Sequence, residues 1–329
     1  MSEIIGKQIE LGIAVEENRG TPQGSAEKWV KNVSATIVER AEKVDDDSNR
    51  NRIEDSLGTR LVSKHIEGEL AGIIHADTIG YLLYNIYGAV SSALVGSGVY
   101  DHTFSVGNSI SHPALTFIAK DGANSQDAFT NGMVGTLELT ATVDDYLRFS
   151  ANVEATEASV NADSPSYDTE YDFVGKDVEI KFADTEGGLS GATATKAKSV
   201  TVRWDQGLTR DPVLGSYTPD DIYNTMHAIE VEFTPNYTDD TFKDLYTSDT
   251  YKYMQITITG SQTIGGSYNP TITLILNRVQ VKDWNRDSGR DEIITQPITA
   301  KAYFNEIDGE ASSLVLRNLT TEYDVVESA

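Results

Sequence analysis

Apolar side chains recur at every second position along most of this 329-residue chain, and that two-residue period narrows the possible fold more than any other feature. Leu137, Leu139, Ala141 and Val143 share one face, as do Leu147, Phe149, Ala151 and Val153. The spacing returns at Val178, Ile180 and Phe182, at Val200, Val202 and Trp204, and at Ile229, Val231 and Phe233. It continues through Met254, Ile256 and Ile258, then Ile272, Leu274 and Leu276, then Ile298, Ala300, Ala302 and Phe304. Successive side chains of a strand point to opposite faces of its sheet, so each run predicts a strand with one buried face. Abundant Thr, Val and Tyr suit such a half-buried pleated surface. The expected fold class is mainly β: an antiparallel sandwich or barrel, with one short helix in each half of the chain.

The two helices are expected after Asp77 and over 238–246. In the first, Ile79, Leu82, Leu83, Ile86 and Val90 have helical spacing. The uncharged stretch from Thr78 to Tyr100 is long enough to cross a bilayer. Gly80, Gly88, Gly96 and Gly98 interrupt it, it carries Asn85, Ser91 and Ser92, and it lacks basic flanks, so it reads as a soluble helix packed on one face. In the second, Asp239 and Asp240 suit the positive end of a helix. Residues 1–7 lack a basic segment followed by an apolar one, so no signal peptide is expected.

The halves resemble each other. Ile66-Glu67-Gly68-Glu69 returns as Ile229-Glu230-Val231-Glu232, an offset of 163 (229 from 66). Asp77-Thr78 with Leu82 returns as Asp240-Thr241 with Leu245, again 163 (240 from 77). Ser34-Ala35-Thr36-Ile37 pairs with Ser199-Val200-Thr201-Val202 at 165, and Pro113-Ala114-Leu115-Thr116 with Pro270-Thr271-Ile272-Thr273 at 157. Four short matches in one order indicate an internal duplication, against the alternative that any two Thr-rich β halves look alike. The layout expected is an N-terminal arm over 1–25, a first β domain over 26–160 and a second over 161–329.

Each first strand is followed by a long polar loop. The one over 42–60 holds Asp45, Asp46, Asp47, Arg50, Arg52, Glu54 and Asp55; the one over 205–221 holds Arg210, Asp211, Pro212, Pro219 and Asp220. Mixed charge on a long loop suits a surface that meets a complementary neighbour.

Chemical motifs are missing. With no cysteine, disulfides, thiolate zinc sites and thiol nucleophiles are excluded. His65, His75, His102, His112 and His227 have no metal-ligand spacing. Asp45-x-Asp47-x-Asn49 and Asp283-x-Asn285-x-Asp287 begin like calcium loops but lack the later glycine and glutamate. Neither a nucleophile elbow nor a phosphate-binding glycine loop is present. No enzyme activity, cofactor or metal is expected. The formal charge of −25, from 26 basic and 51 acidic residues, argues against wrapping duplex DNA and suits repulsion of a passing polyanion.

Several segments together resemble the tail tube (major tail) proteins of long-tailed bacteriophages. They are Gly6-Lys7-Gln8-Ile9-Glu10-Leu11-Gly12, Arg19-Gly20-Thr21-Pro22 and Trp29; Gly68-Glu69-Leu70-Ala71-Gly72 running to Gly88; Ser111-His112-Pro113-Ala114; and Asp283-Trp284, Asp291-Glu292-Ile293 and Arg317-Asn318. The resemblance implies a non-enzymatic virion protein, made in the host cytoplasm, whose domains assemble into six-membered rings stacked as a conduit for DNA. Tape measure, tail terminator and tail tip proteins are the implied partners, with no membrane and no specific DNA binding. Bridging of successive rings by a long loop would make Asp45, Asp46, Asp47, Arg50, Arg52, Glu54 and Asp55 inter-ring contacts. A duplicated chain would close the ring as a trimer; a hexamer is the alternative. Two other classes compete: a carbohydrate-binding or adhesin-like sandwich using Tyr81, Tyr84, Tyr217, Tyr223 and Tyr251, and a hydrolase using paired carboxylates.

Overall fold

The computed structural model describes residues 3, 5–47, 51, 53, 55–248 and 250–324. The first half of the chain forms β1 (Ile9–Val15), β2 (Lys28–Val30), β3 (Val33–Asp45), β4 (Thr59–Ile73), α1 (Ile79–Tyr87), β5 (Gly88–Gly96), β6 (Val99–Val106), β7 (Leu115–Asp121), β8 (Ser125–Thr142), β9 (Arg148–Ala155) and β10 (Glu157–Val160). The second forms β11 (Val178–Ala183), β12 (Ala197–Asp205), β13 (Leu208–Asp211), β14 (Asp221–Asn224), β15 (Ala228–Pro235), α2 (Thr241–Thr247), β16 (Lys252–Thr259), β17 (Thr271–Trp284), β18 (Ile298–Ala302) and β19 (Ser312–Asn318). The protein is mainly β and antiparallel, as its alternation predicts.

Strand pairing repeats. The order β1–β7–β8–β9–β4–β3 recurs as β11–β16–β17–β18–β15–β12. Both series begin with the same local device. Gly6-Lys7-Gln8 and Gly175-Lys176-Asp177 form 3-10 turns. In each, the turn's last side chain accepts a hydrogen bond from the backbone N–H before it: Ile5 N to Gln8 Oε1 (3.0 Å) and Val174 N to Asp177 Oδ2 (3.0 Å). The segment 1–25, expected as an arm, thus contains β1, which lies between β2 and β7.

The 163 and 165 offsets coincide with strand register. Glu39 faces Ile66 as Trp204 faces Ile229. The proline-led match at 157 does not: β7 takes the place of β16, while β17 takes that of β8. Two strands that open after a proline and alternate in the same way are indistinguishable until their neighbours are known.

Strands β8 and β12 join the two series antiparallel, Ser199 opposite Thr142 through Asp205 opposite Thr136. Eight strands therefore run without a break as β3–β4–β9–β8–β12–β15–β18–β17. One face of this sheet is the core: Leu70, Ile66, Phe149, Ala151, Leu137, Leu139, Val202, Trp204, Ile229, Val231, Ile298 and Ala300 are all buried in one cluster. Val143 and Phe304, expected on that face, are 59% and 59% exposed because their strands have ended.

The first helix departs from expectation in two ways. It ends at Tyr87, where Gly88 takes φ of +82° as a left-handed cap and β5 begins, so Val90 is a strand residue. It is also buried on every side rather than on one. Tyr323 covers it from the C-terminal end: its ring meets Tyr81 edge-on at 5.0 Å, and its hydroxyl donates to Asp77 O at 2.7 Å. The second helix is exposed except for the half-buried Phe242 and Leu245, and Phe242 packs edge-on to Phe182 and Phe233 at 5.4 Å each. No helix among the described residues is long and apolar enough to cross a membrane.

Candidate functional site

Alternation that buries Ile66, Leu70, Ile229 and Val231 turns their neighbours to the opposite face of the eight-strand sheet. The I-E-x-E repeat is therefore a device with two sides: aliphatic groups into the core, Glu67, Glu69, Glu230 and Glu232 outward. Glu42 on β3, Glu138 on β8 and Glu154 on β9 join them on this face.

Three arginines answer some of that charge. Arg40 Nε lies 2.6 Å from Glu67 Oε1, and this hydrogen bond holds the Glu67 carboxyl below the usual carboxylate range. Arg203 Nη1 reaches Glu138 Oε1 at 3.3 Å, and Thr140 and Thr201 hydroxyls meet at 3.2 Å; both contacts cross from β8 to β12. Arg210 Nε lies 2.8 Å from Glu154 Oε2. Glu69, Glu230 and Glu232 have no ion-pair partner among the described residues, which leaves the face with an acidic excess in both repeats.

The two long polar loops behave differently. In the second half, Gly207 at φ +58° turns the chain, and β13–β14 fold back as a two-stranded sheet on the first half. Its partners are in the same chain: Arg210 with Glu154, Lys64 N with Tyr217 O (2.7 Å), and Arg19 with Asp221 (2.8 Å). The Arg19 guanidinium also donates to the carbonyls of His112 and Ile222. Burial pushes the Asp221 carboxyl up, but hydrogen bonds from Arg19 and Asn131 outweigh it and hold it below the ordinary range.

In the first half the hairpin stays paired to its end, with a β-bulge between Glu42 and Lys43 where Val62 is the extra residue. β3 and β4 remain paired out to Asp45 and Thr59, and β3 is exposed from Glu39 to its end. Of the residues expected there as inter-ring contacts, Asp45 closes the ladder, while Asp46, Asp47 and Asp55 are exposed. Arg50, Arg52 and Glu54 lie outside the described residues. Sequence reasoning missed the exposed Val44 (57%) and Leu57 (61%) beside the aspartates, apolar groups that folding leaves in water.

At the joint between repeats sits a buried polar hub that no sequence signal marks. Asn85 of α1 is fully buried. Its Nδ2 donates to Pro113 O (2.7 Å) and Gly132 O (3.2 Å), and its Oδ1 accepts from Val134 N (2.8 Å) and Gln206 Nε2 (3.1 Å). Helix, outer loop, β8 and the end of β12 are thereby tied at one side chain.

The histidines form no metal-ligand cluster among the described residues: His102 bonds Ser92 and Asn318, and His112 lies between the carbonyls of Asn85 and Gly107. The tyrosines of the carbohydrate-binding alternative do not share a groove. Tyr81 and Tyr84 are buried in α1, and Tyr251 lies under the Arg278 guanidinium.

Comparison with known proteins gives this surface a context. A family model described as "Phage tail tube protein" matches residues 6–302, and the chain belongs to that family. The family is structural, not enzymatic, and the chain is a component of the phage tail. No curated protein matches. Among solved structures, one titled "Crystal structure of Hcp protein" is similar at 14% identity and a TM-score of 0.25, over 41% of this chain and 96% of that one, too distant to bear on assembly.

Proposed function

We propose that the chain is a tandem of two tube units, and that three copies close a ring whose stacked repeats form the bore of the tail. The observation that carries this reading is the unbroken eight-strand sheet built from two series of four in the same order. One copy already contains the joint between units, so three copies supply twenty-four strands and six equivalent units in a closed cycle. The expected units, 26–160 and 161–329, extend back to Gly6 in the first because β1 matches β11.

Twenty-four strands about 4.8 Å apart make a barrel roughly 37 Å across if they run along its axis and roughly 48 Å across at a 40° tilt. Such a barrel leaves an aqueous channel for DNA. The helices and outer strands occupy the core side of the sheet, so they belong outside the barrel, and the glutamate face lines the bore. Unpaired carboxylates at Glu69, Glu230 and Glu232 would keep phosphates from adhering during ejection. The projecting β3–β4 hairpin, with Asp45, Asp46, Asp47 and Asp55 beside Val44 and Leu57, would contact the next ring. Tape measure, terminator and tip proteins would complete the tail.

Electron cryomicroscopy of assembled tubes tests the reading. Three chains per ring with true three-fold and pseudo-six-fold symmetry is the expected result. Six identical chains per ring would refute it.

A further inference from the structure

We infer that the joint between chains copies the joint within the chain: β17, the end strand of one copy's eight-strand sheet, extended past Trp284, pairs antiparallel with β3 of the next, Thr36 opposite Asp287 and Arg40 opposite Asp283. This inference rests on the tube reading but names a surface and register that the reading alone does not contain.

The register follows from the repeat. Ile66 faces Ala155 and Ile229 faces Ala302, which sets the offset from β9 to β18 at 147 (302 from 155). Leu137 faces Ala151 and Trp284 faces Ile298, so β8 and β17 share that offset (284 from 137). The correspondence continues past the end of β17. Asp287 bridges Thr295, and Asn236 bridges the same Thr295, as Thr140 pairs with Arg148 and Ile73 with Arg148 in the first repeat. Residues 283–289 therefore occupy the place of 136–142, the segment of β8 that pairs with β12. On the other side, 34–40 occupy the place of 199–205 at the offset of 165.

Both edges are unpaired among the described residues, where β3 pairs only with β4. On β17, the edge opposite β18 is taken by β16 only as far as Val279. Among the described residues no strand covers the edge of 283–289 that faces away from β18. Their composition fits a seam that is exposed before assembly. Inside the chain the core-facing pairs are Val202 with Leu139 and Trp204 with Leu137. At the outer seam the equivalents are Ile37 with Arg286 and Glu39 with Trp284. Charges on an open edge discourage indiscriminate pairing of monomers, while Arg40 opposite Asp283 rewards the correct partner.

The cysteine-free chain permits a direct test. Thr36→Cys with Asp287→Cys places thiols on directly opposed residues, where antiparallel Cα atoms lie about 4.5–5.5 Å apart, within disulfide range. Thr36→Cys with Asp283→Cys, four residues out of register, separates them by roughly 14 Å. Oxidised tubes of the first variant should run on denaturing gels as a covalent ladder ending at three chains, with only a trace from the second. Cross-linking of the second pair in preference to the first, or of neither pair in assembled tubes, overturns the seam. Should the first variant fail to assemble, Val38→Cys with Asn285→Cys reads the same register. Failures remain separable. A ladder reaching six chains keeps the seam and overturns the three-chain ring, whereas three-chain rings by mass without the cross-link do the reverse.

Discussion

Replacing Asn85 by Leu tests how the two repeats are held together. The substitution keeps side-chain volume nearly constant, so the loss is polar rather than steric. It removes both donors to the Pro113 and Gly132 carbonyls and the acceptor for Val134 N–H. Gln206 loses one of its partners but still donates to Val134 O at 2.9 Å. A buried group stranded without its hydrogen bond costs about 1–3 kcal/mol. With two or three groups stranded, the expected destabilisation is about 3–6 kcal/mol, a large share of the 5–15 kcal/mol typical of a folded domain. Urea denaturation of the unassembled protein, followed by tryptophan fluorescence, measures it; Trp204 lies beside this region in the core. Combining the variant with Gln206→Leu should give a coupling energy of at least about 1 kcal/mol, since both side chains belong to one network. A loss below about 1 kcal/mol for Asn85→Leu, or strict additivity with Gln206→Leu, would refute the hub.

Four further outcomes follow from the structure. Burial, reinforced by His112, depresses the His227 imidazole from 6.5 to about 4. The unfolded chain therefore binds the extra proton first, so this stability is present above pH 6.5 and is lost as pH falls towards 4; His227→Leu should flatten that part of a stability–pH curve. Tyr323→Ala should lower stability by about 3–5 kcal/mol, read by thermal melting, because it uncovers α1 and empties a buried ring site. Deleting 46–57 should leave a folded protein that forms rings but no long tubes by negative-stain microscopy; normal tube length would exclude the hairpin from ring stacking. Glu69→Lys with Glu230→Lys and Glu232→Lys should make tubes retain DNA in a co-sedimentation assay at low salt and release it at high salt, whereas wild-type tubes bind none.

The period-two alternation determined the strands and the side of each that is buried, because facing is a local property of an extended chain. The same pattern determined, without revealing it, that Glu67, Glu69, Glu230 and Glu232 stand opposite the core. The repeat was legible at Ile66 and Ile229, where paired strands must keep register to bury the same aliphatic groups. Strand order was not, because it depends on partners distant in sequence. Alternation at Ile272 and at Leu115 is the same, and only neighbours distinguish β17 from β7. Helix burial was likewise a tertiary matter. Asp77-Thr78 and Asp240-Thr241 open matching segments, yet only the first helix is enclosed by β5, β6 and Tyr323. The two polar loops show the same division. Their charges read alike, but Gly207 folds one onto its own chain, while the other extends along the bulged β3–β4 ladder into solvent. Opposed charges find partners at whatever distance the fold brings them together, and no local pattern carries that information.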